Sequence, residues 1–214
     1  MLSITTGVKK LIPRQSRFRI RRIINWPATV FMAAKRSLVK TDTRRWEKVS
    51  REVPPWDDRN RAIAAFIPEG ASVLDLGSGA QTIRRHLKRG CKYQPCDIIQ
   101  SSPDVIHCDF NSGVYPVLPT KYDYVICSGI LEYMREPAKF IFEIRSYGRK
   151  CILCYNTYNP QQFVIERLGK GWVNHLQESE LEQFFSTNNF AFRVLHRKDM
   201  TAVCQEVIFE LTPK

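Results

Sequence analysis

A chain of 214 residues can build one substantial core and is too short for two full domains with a linker. At 43% hydrophobic and 25% charged it has the composition of a folded soluble protein, which argues against low-complexity and repeat architectures. The net charge of +12 is concentrated, because residues 1–51 hold 14 basic and 2 acidic side chains whereas residues 52–214 hold 19 of each. The organisation expected is a basic N-terminal arm over residues 1–51 and one domain over residues 52–214.

Residues 1–41 contain no acidic residue, and Lys9, Lys10, Arg14, Arg17, Arg19, Arg21 and Arg22 interleave with Leu11, Ile12, Phe18, Ile20, Ile23 and Ile24. Such a stretch suits an anionic membrane surface or nucleic acid, and equally a solvated arm or an organelle transit segment. The longest nearly apolar run, Ile23 to Ala34, carries Asn25 and Pro27 and spans twelve residues. That is short of the ~20 residues that cross a bilayer, so no transmembrane helix is expected. A cleaved secretory signal is not expected either, since the basic segment is long and no small-residue cleavage site follows it.

The composition changes at Glu52, and Pro54-Pro55-Trp56-Asp57-Asp58 has the character of a linker ending in a helix cap. Ile63, Phe66 and Ile67 predict a lead-in helix over Arg59 to Ile67, closed by Pro68-Glu69-Gly70. Next comes the stretch on which the rest is organised. Val73 to Ala80 is an apolar run broken by two glycines one residue apart, and Ile83 and Leu87 then recur at helical spacing, which predicts strand, tight loop and helix. In an open α/β sheet such a loop lies at the carboxyl end of a strand, where ligands bind. A dinucleotide fingerprint would want a third glycine where Thr82 stands, and Asp75 would repel a phosphate. A cationic ligand fits better. S-adenosylmethionine carries a sulfonium and an ammonium and no phosphate.

Val73 to Ala80 resembles the glycine-rich loop of class I S-adenosylmethionine-dependent methyltransferases, an acidic residue followed by x-Gly-x-Gly-x-Gly, with Gln81 in place of the third glycine. The resemblance implies an α/β fold with a Rossmann-like, mostly parallel seven-stranded sheet, an antiparallel C-terminal hairpin and flanking helices, and S-adenosyl-L-methionine as cofactor. Asp75, Gly77, Ser78 and Gly79 would line the cofactor.

The second strand is predicted over Tyr93 to Asp97. Asp97 falls twenty residues after Gly77, where a carboxylate can accept hydrogen bonds from both ribose hydroxyls, the role the resemblance also assigns; a capping role in the next turn is the alternative. Ile98 to Asp104 leave little room for a helix before the strand Val105 to Cys108. By resemblance Asp109 meets the adenine amino group and Phe110 or Ile98 lies against the ring, while Asp109 also reads as a turn cap. Tyr122 to Cys127 is predicted as a central strand, and Ser128-Gly129-Ile130-Leu131-Glu132-Tyr133 resembles the family's fourth-strand exit, with Ser128 beside the cofactor and Tyr133 where a histidine is common. A helix over Glu136 to Tyr147 and a fifth strand over Lys150 to Tyr155 follow.

Residues Asn156 to Asn174 are polar, aromatic and irregular, an insertion of a length that covers substrates. The chain then predicts a helix over Glu178 to Asn188 and two strands, Phe190 to His196 and Ala202 to Leu211, joined by Arg197 to Met200. The seven cysteines read as reduced core residues of a cytoplasmic protein. Cys151 and Cys154 form a C-x-x-C, but on a strand they point to opposite faces, so no metal site is expected.

Where the acceptor is a hydroxyl, methyl transfer calls for a general base. His175, in the loop bordering the cofactor, is the candidate beside its reading as an ordinary loop histidine, and Glu132 and Tyr133 are candidates for substrate contact. The Asn/Asp-Pro-Pro-aromatic tetrad of many amino-directed nucleic-acid methyltransferases is absent after the fourth strand, which disfavours nucleic acid. Small-molecule, sugar, lipid-linked or protein acceptors stay open, and contact of residues 1–51 with an anionic membrane would favour a lipid-linked glycan. The rivals are a non-catalytic methyltransferase-like scaffold and a nicotinamide-dependent oxidoreductase, the latter disfavoured by Asp75 and Thr82.

Overall fold

The computed structural model describes residues 30–31, 41–50, 56–201 and 203–214. Most of the basic arm and the Pro54-Pro55 linker lie outside the described residues. Helix α1 (Thr43–Val49) precedes the domain and is capped by Asp42, whose carboxylate accepts from the Arg45 backbone N–H at 3.4 Å. Helix α2 (Asp57–Ala65) follows, with Asp57 and Asp58 in its first turn, where negative charge meets the positive end of the helix dipole.

Seven strands make one sheet in the order β3-β2-β1-β4-β5-β7-β6. Strands β1 (Ser72–Leu76), β2 (Lys92–Asp97), β3 (Ile106–His107), β4 (Tyr122–Ser128) and β5 (Gly148–Asn156) pair in parallel. Strands β6 (Phe190–Thr201) and β7 (Cys204–Pro213) complete the sheet as an antiparallel hairpin, with β7 against β5. The expected Rossmann-like, mostly parallel sheet with an antiparallel hairpin is therefore the observed fold.

Alternation along the central strands divides the core into two layers. Leu74, Leu76, Val125, Cys127, Cys151, Leu153, Phe209 and Leu211 pack with Phe140, Ile141 and Ile144 of α3 (Pro137–Ile144) and with Leu181 and Phe185 of α5 (Glu178–Thr187). On the other face Val73, Ile126, Ile152, Cys154 and Ile208 pack with Ile63, Ala64 and Ile67. Burying each large apolar side chain contributes roughly 1.5–3 kcal/mol, so both layers hold the strand ends in place. Cys151 and Cys154 fall in different layers, as the strand geometry requires.

The structure departs from the expectations in three places. The segment after the glycine loop is not an α-helix but a five-residue 3-10 turn, Thr82–His86, with Ile83 as its one buried residue. One fully buried anchor, with Leu87 only partly buried, in a run containing Arg84, Arg85, Lys88 and Arg89 cannot offset the ordering of a longer helix. Arg197 to Met200 do not form the hairpin turn; they continue β6, with Arg197 opposite Val207 and Lys198 opposite Glu206. The 156–174 insertion is not wholly irregular, because Val164–Gly169 forms helix α4 around the fully buried Arg167.

Candidate active site

At the carboxyl ends of β1, β2, β4 and β5 lies a cavity of about 480 Å³, within the range for small-molecule sites. The glycine loop forms its floor. Gly77 has φ +76°, and a Cβ there would sit 2.6 Å from Ile130 Cδ1, so only glycine brings the β1 loop this close to the β4 exit. The Gly77 and Ser78 N–H groups both donate to the Cys96 carbonyl, at 2.8 and 3.1 Å, which ties the loop to β2. Gln81, in the place of the resembled third glycine, adopts φ +53°. The loop thus keeps a glycine-like shape with a residue that is strained in it, held by the Gln81 Nε2 bond to Ser102 Oγ at 2.9 Å.

Asp97 ends β2 with both oxygens anchored, accepting from the Gly79 N–H at 2.8 Å and the Ile99 N–H at 2.9 Å. Burial pushes its carboxyl up, against the pull of these backbone donors. Asp75, also buried, accepts from Tyr93 Oη at 2.6 Å, and burial lifts its carboxyl to about 7. Asp109 accepts from Thr41 Oγ1 at 3.0 Å and from Ser112 Oγ at 2.7 Å. Ser128 Oγ donates to Asn60 Oδ1 at 2.9 Å.

All nine residues expected around a cofactor, Asp75, Gly77, Ser78, Gly79, Asp97, Ile98, Asp109, Phe110 and Ser128, line this one cavity. His175 does not. Its Nδ1 accepts from Arg167 Nε at 3.2 Å, its ring lies against Tyr158, and burial followed by the Arg167 charge lowers its pKa. The expectation of a histidine facing the cofactor is corrected on this geometry: the nitrogen a base would use is occupied by a cation. Glu132 and Tyr133 both line the cavity.

The sequence did not reveal Arg59, Asn156, Glu206 or the cover supplied by α1. Arg59 reaches from α2 to the Ser128 carbonyl at 3.2 Å and to Glu206 Oε2 at 3.6 Å. From α1, Trp46 packs edge-on against Tyr133 with ring centroids 4.6 Å apart, and Arg45 donates to the Lys170 carbonyl at 2.6 Å. No pattern in the lead-in helix, which also carries Asp57, Asp58 and Arg61, singled out Arg59 and Asn60. Six carboxylates and four basic side chains line the cavity, a negative excess that favours a cationic ligand despite the chain's net positive charge. Among the described residues, the buried side-chain polar atoms without a partner are Arg59 Nε, Ser78 Oγ and Glu132 Oε2, and all three are in residues that line the cavity.

A family model for the methionine biosynthesis protein MetW matches residues 57–213. The chain belongs to the MetW family. No curated protein matches the sequence. Among solved structures, this MetW-family chain is similar to a Nostoc punctiforme protein assigned as an O-methyltransferase, with a TM-score of 0.60 and 16% identity over 78% of this chain and 60% of that one. It is similar to an S-adenosylmethionine-dependent methyltransferase from Aquifex aeolicus, with a TM-score of 0.55 and 15% identity over 79% of this chain and 98% of that one. It is also similar to the N-terminal domain of EvdMO1, whose structure holds S-adenosylhomocysteine, with a TM-score of 0.53 and 16% identity over 76% of this chain and 82% of that one. The MetW-family domain thus shares the class I methyltransferase fold of these structures.

Proposed function

We propose that the protein binds S-adenosylmethionine in the cavity and transfers its methyl group to a small-molecule, sugar or lipid-linked glycan acceptor. The observation that carries this reading is that the three unpartnered buried polar atoms all belong to residues lining the one cavity. An unpaired buried polar group costs about 1–3 kcal/mol; a cofactor with a carboxylate for Arg59 and a donor for Ser78 would satisfy two of them, and a donor on the methyl acceptor would satisfy Glu132. In this reading Asp97 accepts from the ribose hydroxyls, Asp109 from the adenine amino group, and Ile98 and Phe110 cover the ring. The excess of acidic side chains in the lining favours the positive end of the cofactor. Methyl transfer needs alignment of nucleophile, methyl carbon and sulfur more than acid catalysis.

A thermal-unfolding titration tests it. S-adenosylmethionine and S-adenosylhomocysteine at about a hundred times Kd should each stabilise the protein by ~2.7 kcal/mol, while NAD should leave it unchanged. Absence of any shift with the first two would favour a scaffold without cofactor.

The basic segment supports a second element of the reading, peripheral contact of a cytoplasmic protein with an anionic membrane. Arg17, Arg19, Arg21 and Arg22 alternate with apolar residues, and no described helix is long and apolar enough to cross a membrane. The full chain should co-sediment with vesicles containing phosphatidylserine, and replacement of those four arginines by alanine should release it.

A further inference from the structure

Glu132 has no assigned task in cofactor binding, yet it is fully buried at the β4 exit, on the side of the cavity away from Asp97. Its Oε1 accepts from both the Asn156 backbone N–H at 2.9 Å and Asn156 Nδ2 at 2.8 Å, and its backbone carbonyl accepts from the Val173 N–H at 2.8 Å. These bonds fix the carboxylate. Its other oxygen, Oε2, is buried with no partner. The other carboxylates along the strand ends are engaged: Asp75 by Tyr93, Asp97 by two backbone N–H groups, Asp109 by Thr41 and Ser112, and Glu206 by Arg59.

The order of the strands places Glu132. A cofactor with its ribose at Asp97 on β2 would cross the loop after β1 towards the exit of β4, where the Ile130 side chain stands over Gly77. Beyond that point the wall is made by Asn156 at the end of β5 and Glu206 on β7. Glu132, hydrogen-bonded to Asn156, stands at the boundary between the two halves. Resting on the proposed methyl-transfer reading, we infer that Glu132 is the general base for an acceptor whose nucleophile carries a proton, a hydroxyl or a protonated amine. A thiolate or carbanion would bring a second negative charge against a carboxylate that already lacks a donor.

The step balances. The acceptor's X–H proton passes to Glu132 Oε2, the freed lone pair on X forms a bond to the methyl carbon, and the carbon–sulfur bond breaks with its electron pair left on sulfur. The products are the methylated acceptor, S-adenosylhomocysteine and a protonated Glu132, which returns its proton to solvent when products leave.

Sinefungin tests this without knowledge of the acceptor, because it carries a protonated amine on carbon where S-adenosylmethionine carries the methylated sulfur. Calorimetric titration of the full chain should show sinefungin binding about tenfold or more tighter than S-adenosylhomocysteine, the range for one charge-assisted hydrogen bond. In Glu132→Gln the two affinities should come within about twofold, with that for S-adenosylhomocysteine little changed. A wild-type ratio near one, or a tenfold ratio that survives in Glu132→Gln, overturns the inference. If Glu132→Gln does not fold, the wild-type ratio decides. Failure of both ligands to bind the wild-type protein removes the methyl-transfer reading itself, which separates the two failures.

Discussion

Two arginines near the strand ends, one fully buried and one half-buried, differ in how far their nitrogens are used. Arg167 is fully buried, and each of its nitrogens is used: Nε donates to His175 Nδ1 at 3.2 Å, Nη1 to the Thr157 carbonyl at 3.2 Å, and Nη2 to the Asn156 carbonyl at 2.9 Å and Tyr155 Oη at 3.3 Å. The Trp172 ring lies 4.7 Å from its guanidinium carbon. Arg59 is half-buried, holds the Ser128 carbonyl and Glu206, and has an Nε with no partner. The saturated arginine organises the 156–174 insertion and has nothing left to offer a ligand. The unsaturated one lines the cavity, which is how a polar group held for binding differs from one held for folding.

The largest expected effect separates these roles. Arg167→Met leaves two buried carbonyls and His175 without their donor, and should lower unfolding stability by ~3–5 kcal/mol in denaturant titration. A loss below about 1 kcal/mol would break the distinction. Next is Asp75. Because burial lifts its folded-state pKa to about 7 from 3.8, the folded protein holds that proton more tightly than the unfolded chain. The associated stability is complete below about pH 4 and is lost as pH rises through about 7. Compared with Asp75→Asn, the wild type should lose up to ~4 kcal/mol over that window, measured by unfolding at a series of pH values. An equal slope in both proteins would mean that the cavity floor carries no such strain.

Smaller effects sharpen the ligand side. Asp97→Ala should weaken S-adenosylmethionine binding by ~1–3 kcal/mol in calorimetry, and wild-type affinity would remove the ribose assignment. Smallest is the exchange at Gln81, whose left-handed backbone suits glycine and not a β-branched residue. Gln81→Gly should exceed Gln81→Val in thermal stability by ~1–2 kcal/mol.

The glycine loop, the acidic strand ends and the sheet were legible because they are local: a period-two apolar run, a turn that needs glycine, and carboxylates at fixed distances along the chain. The nine residues expected at the cofactor, some from that local reading and some, such as Ile98, Asp109 and Phe110, from the family resemblance, all line the cavity. His175 misled because its loop lies near the strand ends in sequence while Arg167, buried eight residues earlier, turns its ring nitrogen away from that task. Nothing in the sequence announces that an arginine will be buried without a carboxylate. The roof was illegible for another reason. Charge put α1 with the basic arm, but Trp46 and Arg45 pack on Tyr133 and Lys170, contacts between residues far apart in sequence. The 3-10 turn and the long β6 were likewise decided by packing and cross-strand pairing rather than by local propensity.

The position of β7 bears on how the molecule is made. It follows every other strand in the sequence yet lies inside the sheet, between β5 and β6. While a ribosome is still adding these residues, β5 has an open edge and β6 has no strand to pair with, so the sheet cannot close in the order of synthesis. The half of the cavity that contains Glu206 is assembled in the same late event. A nascent chain halted after β6 would therefore present two unpaired strand edges to its surroundings, the state in which a parallel α/β protein depends most on a chaperone.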